Sequence, residues 1–459
     1  MPRDFDAVII GAGQAGPSLA GRLTGAGMTV ALVERKLFGG TCVNTGCMPT
    51  KTLVASAYAA HLARRGADYG VVLDGPVRID MARVKARADT VSHNARTGVE
   101  KWLRGMKGCT VLQGSARFEA PDTVAVGDDR LRSSRVFINV GGRAVVPDLP
   151  GIGTVPYLTN TSMIALDHVP DHLVVVGGSY IGLEFAQMYR RFGARVTVIE
   201  QSPRLVMRED EEVSAAIREI LESEGITIRT GAQCLSVAPH EAGVAVWAEC
   251  TTGDPEIVGS HLLLAVGRRP NTDDLGLDKA GVVTDARGYI RVDDQLATNV
   301  SGIWALGDCN GRGAFTHTAY NDFEIVAANI LDGGARRVSQ RIPAYALFID
   351  PPLGRAGMTE TEARATGRKL LIGNRPMTRV GRAVETGQTK GFMKVVVDAD
   401  SSKILGAAIL GLAGDEVIHG ILVAMNGGLP YTALQQAVPI HPTVSELIPT
   451  MLGEMTAAS

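Results

Sequence analysis

Cysteine is scarce in this chain, with six residues in 459. So few thiols in so long a sequence exclude a disulfide framework of the kind that holds small secreted domains together. An excess of one charge is lacking too: 46 basic and 48 acidic side chains leave a formal net charge of -2. That removes the electrostatic footprint of a nucleic-acid or anionic-membrane binder and leaves small molecules as the expected ligands. No apolar run approaches the roughly 18 residues needed to span a bilayer. The opening MPRDFDAVII lacks the length and small-residue cleavage site of a secretory signal, so the expected location is cytoplasmic. Zinc-type spacing, a CxxC with a second Cys or His pair, is also missing, and no metal site is expected.

What the chain does have is length for about three domains, at a soft prior of about 150 residues each, and a motif that occurs twice. In FDAVIIGAGQAGPSLAGRLTGAGMTVALVE an apolar run at 5–10 enters Gly11-x-Gly13-x-x-Gly16, a helical pattern follows, and a second apolar run ends at Glu34. Each position has a physical reason. Gly11 permits a tight turn, Gly13 lets the backbone approach a pyrophosphate, and Gly16 lets the helix pack closely on the strand, with the phosphate on the positive helix end and Glu34 placed to bind a ribose. The pattern returns in HLVVVGGSYIGLEFAQMYRRFGARVTVIE with Gly177, Ser179, Gly182 and Glu200, and the spacing from first glycine to acid is 23 positions both times. Two dinucleotide-binding domains are the expectation. Ser179, at the middle glycine's place, should crowd a pyrophosphate slightly. Glu200 can bond a 2'-hydroxyl and repels a 2'-phosphate, which favours NADH, although Arg204 and Arg208 follow closely and would tolerate NADPH.

Two of the six cysteines stand together in GGTCVNTGCMPTK, residues 39–51. Positions five apart on a regular helix point about 140° from each other, so a bond between Cys42 and Cys47 needs a backbone break, which Gly46 and Pro49 allow. Three readings compete. A structural staple closing so short a loop contributes only about 2 kcal/mol, and a reducing cytosol opposes it. Metal storage lacks further ligands. A redox pair fits better: a cysteine at a helix N-terminus, with Lys51 nearby, has the lowered thiol pKa that disulfide exchange requires. Cys109, Cys234, Cys250 and Cys309 are scattered and are expected to be small buried side chains.

The glycine turn, GGTCVNTGCMPTK, GGSYIGLEFA, AVGRRPN, WALGDC and HPTVSE come in the order seen in the FAD-dependent pyridine nucleotide-disulfide oxidoreductases, and the chain resembles that family over essentially its whole length. The wording CVNTGCMPTKTLVASA looks most like the mercuric-reductase-like bacterial flavoproteins; lipoamide dehydrogenase and glutathione reductase are relatives. The resemblance implies an α/β fold with two Rossmann-like dinucleotide-binding domains, for FAD and NAD(P), and a C-terminal α+β dimerisation domain. The implied boundaries are 1–148, completed by 272–335, for FAD, 149–271 for NAD(P), and 336–459 for the interface of a homodimer, whose opening FIDPPLGRAGMTETEA is similar to the family's.

Residue by residue, the resemblance implies that Gly11, Gly13, Gly16 and Glu34 bind the ADP half of FAD and that Gly307 and Asp308 reach its ribityl and phosphate region. Thr41, Lys51, Gly114, Ala116, Gly141 and His317 are implied as further FAD contacts, His317 through its backbone. Gly177, Ser179, Tyr180, Gly182, Glu200 and Gly267 match the NAD(P) site, with Tyr180 as the gate over the flavin. Lys51 and Glu184 match a pair beside the flavin ring. Cys47 would face the flavin as a thiolate, and Cys42 would attack the substrate. His441 matches the acid/base histidine, oriented by Glu446 and acting on the partner subunit's cysteines; its imidazole titrates near neutral pH, as such a role requires. Read from the residues alone, Thr443-x-x-Glu446 is also a helix capping box.

Two departures narrow the acceptor. The tail MLGEMTAAS has no cysteine, whereas mercuric reductases carry a C-terminal pair, and they typically lack the His-Pro-Thr that this chain retains. Pro439 stands where lipoamide dehydrogenases have the first histidine of His-x-His-Pro. The expectation is an NAD(P)H-dependent FAD enzyme that passes electrons through Cys42–Cys47 to a disulfide or thiophilic metal ion. A dihydrolipoyl dehydrogenase is the first alternative, and a flavin redox sensor or binding protein the second.

Overall fold

Strands rich in Val, Ile and Leu build a five-stranded parallel sheet, in the order Ile303–Ala305, Val136–Ile138, Ala7–Ile10, Val30–Glu34 and Cys109–Gln113. The structure is a computed structural model that describes residues 2–249 and 253–458. Ala7–Ile10 and Val30–Glu34 are buried at every position, as expected for a parallel sheet covered on both faces. The helix Gly16–Gly25 turns Leu19, Ala20 and Leu23 into the core. The helices Cys47–Arg64 and Met81–Arg104 pack on one another, the second capped where Asp80 accepts the Arg83 N–H at 3.0 Å.

A second parallel sheet repeats the plan with four strands, Thr227–Arg229, Arg195–Ile199, His172–Val176 and His261–Leu264. The helix Tyr180–Phe192 follows its glycine turn. The chain enters and leaves this unit along two adjacent short strands, Gly142–Ala144 and Arg268–Pro270, paired antiparallel. It then returns to the first sheet as Ile303–Ala305. No helix among the described residues is long and apolar enough to cross a membrane.

The C-terminal region forms a six-stranded antiparallel sheet, ordered Ala344–Leu347, Leu353–Gly357, Ile404–Leu410, Phe392–Asp398, Leu370–Pro376 and Thr456–Ala457. It is tied to the second nucleotide unit by a buried ionic network. Arg355, 1 % exposed, donates from Nε to Glu209 Oε2 at 3.0 Å, and the Tyr345 hydroxyl donates to Glu209 Oε1 at 2.7 Å. Asp210 accepts the backbone N–H groups of Glu360 and Thr361 at 2.9 and 3.0 Å. Each buried charge has its partner, since an unpaired one costs several kcal/mol.

Candidate active site

The helix Gly40–Thr45 stops at Gly46 (φ -136°, ψ -121°), and a new helix starts at Cys47. A Cβ at Gly46 would lie 2.8 Å from the Thr41 carbonyl oxygen, so the break closes up only with glycine there. Its consequence is to bring Cys42 round to Cys47, and the two free thiols share a hydrogen bond. Cys47 Sγ also lies 3.1 Å from Thr316 Oγ1. The Cys42 hydrogen bond, opposed by burial and aided by Thr316 and the Lys51 charge, brings Cys47 down to about 6. Cys42 moves the other way, pushed far above the ordinary thiol range by its bond to Cys47 and by burial. The reduced pair therefore holds one proton at neutral pH, as a Cys47 thiolate accepting from a Cys42 thiol.

One turn along the same helix, Lys51 Nζ pairs with Glu184 Oε2 at 2.5 Å. Glu184 is buried, and its Oε1 accepts the Phe348 N–H at 3.0 Å. Lys51 also sits 4.4 Å from the centroid of the Phe348 ring. Three parts of the chain thus meet within one hydrogen-bonded cluster beside the thiols. Tyr180 packs edge-on against Tyr345 (5.4 Å) and Phe315 (6.2 Å). Phe315 stacks on His317, whose Nε2 lies 2.7 Å from the Ala344 carbonyl oxygen.

The two glycine turns have the same geometry. Gly11 has φ +110° and Gly177 φ +118°. A Cβ at Gly16 would lie 2.2 Å from the Gly11 oxygen, and one at Gly182 2.1 Å from the Gly177 oxygen. Both acids are held by the turn they follow: Glu34 accepts from Ala12 N (2.9 Å) and Lys36 N (2.7 Å), Glu200 from Gly178 N (2.6 Å) and Ser202 N (2.7 Å). A Cβ at Gly11 would also collide with the Asn139 carbonyl, at 2.2 Å. Two such close-packed turns opening onto helix N-termini fit pyrophosphates. Gly307 N donates to Asp322 Oδ2 at 2.8 Å, and burial raises the Asp308 carboxyl above its ordinary range despite Arg268 at 3.5 Å.

Of the remaining FAD-segment positions, Thr41 lies in the first turn of the cysteine helix, Gly114 N donates to Glu34 O at 2.9 Å, and Ala116 opens the strand Ala116–Ala120. Gly141 and Gly267 have positive φ and open space where a side chain would stand; each carbonyl accepts a backbone N–H, from Asn271 and Val145 respectively.

His441 Nδ1 lies 2.8 Å from Glu446 Oε2, with the imidazole 80 % exposed and the carboxylate 16 %. The capping-box reading is corrected: Thr443 Oγ1 accepts the Glu446 N–H at 3.2 Å within the turn that precedes the helix Leu447–Gly453, Glu446 itself stands at the N-cap position, and its carboxylate turns to His441. Among the described residues the His441 ring bonds Glu446 and not a thiol of its own chain. It projects from a segment whose Val438 and Ile440 are 96 % and 79 % exposed.

The scattered cysteines divide. Cys309 is fully buried, and burial pushes its thiol up to about 12. Cys109 is half-buried, with burial raising it to about 11. Cys234 corrects the expectation: it is exposed, because a break in register between Gln233 and Ser236 places it at φ +50°, outside the regular ladder. Cys250 lies outside the described residues. Thr316, Phe348, Tyr345, Asn139 and Arg268 escaped the sequence reading. Thr316 stands in the same AFTHTAYND stretch as His317, but a threonine carries no spacing signal that would single it out.

The sequence matches the family described as pyridine nucleotide-disulphide oxidoreductase over residues 5–322 and that family's dimerisation domain over residues 343–452. It is 36% identical over 451 residues to a probable pyridine nucleotide-disulfide oxidoreductase, RclA, of Escherichia coli (strain K12), covering 96% of this chain and 97% of that protein. It is 32% identical to a dihydrolipoyl dehydrogenase of Thermus scotoductus, covering 97% and 96%, and 32% identical to a mercuric reductase of Streptomyces lividans, covering 97% and 94%. The fold matches a Cu(II) complex of the HOCl-induced flavoprotein disulfide reductase RclA from Escherichia coli with a TM-score of 0.89 at 34% identity, covering 98% of this chain and 99% of that one.

Proposed function

Because the chain belongs to the pyridine nucleotide-disulphide oxidoreductases, NAD(P)H-dependent FAD enzymes with a dimerisation domain that implies a homodimer, we propose that it carries electrons through Cys42 and Cys47 to a small-molecule disulfide or a thiophilic metal ion. The observation that carries this reading is the pair of free thiols, Cys42 and Cys47, set on either side of the helix break at Gly46, with Cys47 Sγ 3.1 Å from Thr316 Oγ1. The chemistry that FAD supplies when bound is to accept the hydride of NAD(P)H and hand on its electron pair. The Cys42–Cys47 disulfide would take up that pair with the one proton that accompanies it, its S–S bond breaking to give a Cys42 thiol beside the Cys47 thiolate. His441, oriented by Glu446, takes the Cys42 proton across the dimer. The Cys42 thiolate then attacks one sulfur of the substrate disulfide, forming a mixed disulfide and expelling a thiolate that His441 protonates. Attack by the Cys47 thiolate on Cys42 Sγ expels the second product as a thiolate, which takes a proton from solvent, and restores the disulfide. The need for a base follows from the raised Cys42, which is not a nucleophile at neutral pH without one.

The first turn with Glu34, and Gly307 with Asp308, would hold FAD, together with Thr41, Lys51, Gly114, Ala116, Gly141 and His317. Gly177, Ser179, Gly182, Glu200 and Gly267 would hold the nicotinamide nucleotide, with Tyr180 gating it from its place against Phe315 and Tyr345. NADH is the preferred donor in this reading, since the Glu200 carboxylate repels a 2'-phosphate. The domains fall at 1–148 with 272–335, 149–271 and 336–459, in a cytoplasmic protein. The metal arm is supported by the Cu(II) complex of the RclA relative, the disulfide arm by the His441–Glu446 pair.

The test is anaerobic NADH and NADPH oxidation by the purified holoenzyme with lipoamide, glutathione disulfide, or Cu(II) or Hg(II) in excess thiol. Cys42→Ser is expected to abolish turnover of every acceptor while flavin reduction by NADH stays intact; undiminished turnover would falsify the role given to Cys42.

A further inference from the structure

The second nucleotide-binding unit holds a pair of histidines that the redox chemistry leaves unused. His168 lies in the loop before the strand His172–Val176, and His261 opens the neighbouring strand His261–Leu264. Both stand at the strand ends opposite the Gly177 turn. Their Nε2 atoms are 3.3 Å apart, with the rings inclined at 55°.

The remaining ring nitrogens settle which tautomers are present. His168 Nδ1 lies 3.0 Å from Asp167 Oδ1; a carboxylate only accepts, so the His168 proton is on Nδ1. His261 Nδ1 lies 3.0 Å from Ser260 Oγ. The Ser260 hydroxyl proton is committed to the His172 carbonyl at 3.1 Å, and its oxygen accepts the His172 N–H at 3.1 Å. Ser260 is thus an acceptor for His261, whose proton is also on Nδ1. With both Nδ1 protons directed outward, the two Nε2 atoms 3.3 Å apart meet either across one shared proton or across a cation that both lone pairs bind.

We propose that His168 and His261 form a two-histidine site for a tetrahedral divalent metal ion, zinc(II) by preference. With Zn–N bonds of about 2.05 Å, nitrogens this far apart subtend roughly 107° at the metal, close to the tetrahedral angle. Square-planar bonds of about 2.0 Å would bring cis nitrogens to roughly 2.8 Å. Asp167 and Ser260 supply the outer hydrogen bonds that orient ligating imidazoles. Among the described residues no group of three or more His, Cys, Asp or Glu converges on a metal position, so water completes the coordination and the ion exchanges readily. Bound zinc clips the loop before His172 to the strand of His261, and it stabilises the unit by mass action. The site stands apart from Cys42 and Cys47 and does not depend on their role.

The test uses the FAD-loaded homodimer carrying Cys42→Ser and Cys47→Ser, which removes the thiols that also bind zinc. Equilibrium dialysis against zinc chloride is expected to give one equivalent per chain. His168→Ala or His261→Ala on that background should lose it, and Asp167→Asn should weaken it by about tenfold. The His168 side chain is 55 % exposed, so its replacement leaves folding intact. Cobalt(II) in place of zinc should give the intense visible absorption of a tetrahedral site, and zinc should raise the unfolding temperature only where both histidines are present. Zinc binding that is absent, or unchanged in both histidine variants, overturns the proposal and leaves the two rings sharing a proton.

Discussion

The two nucleotide turns are near copies in backbone and differ in what lies on them. Gly40, at the start of the cysteine helix, presses on the first turn so closely that a Cβ on it would stand 2.8 Å from Gly13 Cα. Gly39 N donates to Ala12 O at 2.9 Å, and Gln14 Nε2 to Gly39 O at 3.1 Å. The redox segment is thus strapped onto the first cradle. The second turn carries a matching contact, Val206 N to Gly178 O at 2.9 Å with Leu205 against Gly178, but the segment across it holds no cysteine, and its middle residue, Ser179, stands exposed. The difference lies in what the covering segment carries: the redox helix Gly40–Thr45 on the first turn, and a loop without a thiol on the second. Lys51 and Glu184 join the two halves.

The largest effect should come from prying the strap off. Gly40 has φ +63°, a conformation that costs a side chain about 1–2 kcal/mol before any clash, so Gly40→Val is expected to purify with at least tenfold less bound flavin by absorbance. Retained flavin at full occupancy would mean that the strap is not what holds it. Next is Gly182→Ala, where the new Cβ meets the Gly177 carbonyl. Here flavin content should stay at wild-type level while the KM for NADH rises by about tenfold, the equivalent of about 1.4 kcal/mol. Equal loss of flavin would erase the distinction between the cradles.

Lys51→Met tests the link between the halves. The Cys47 thiolate is present above about 6 and protonated below it. Removing a positive charge that favours the thiolate must move this midpoint to higher pH, so iodoacetamide alkylation of the reduced enzyme should shift that way and slow roughly severalfold near neutrality. A shift to lower pH contradicts the geometry. The smallest effect is Ser179→Gly, which relieves the one side chain in the second turn and should lower the KM for NADH by about twofold, with flavin binding unchanged.

How legible each part was in the sequence follows from the range of the interaction that defines it. Both turns were legible because a strand, a turn, a helix and an acid lie within a few dozen residues, and the same backbone rule sets every glycine. The break between Cys42 and Cys47 was legible at Gly46 for the same reason. His441 and Glu446 are five positions apart, yet their segment read equally as a capping box, and only the structure puts the Glu446 carboxylate on His441 with the helix starting after it, at Leu447. Thr316 and Phe348 were not legible. They reach Cys47 and Lys51 across some 270 and 300 residues, and nothing in their own neighbourhoods marks them. Cys234 went wrong because a local bulge, absent from any apolar pattern, turned it outward.

By itself the sequence determined that this chain has two nucleotide cradles, a cysteine pair set across a helix break, and a third domain carrying His441. Those features depend on contacts between near neighbours, where residue type dictates backbone geometry. The tertiary structure supplies the physical cause of the charge on Cys47, because Cys42, Thr316 and Lys51 converge on it from separate elements. It alone set the cysteine helix against the first cradle, since a 2.8 Å approach between Gly13 and Gly40 is a fact about packing, and packing distances are not written in either motif.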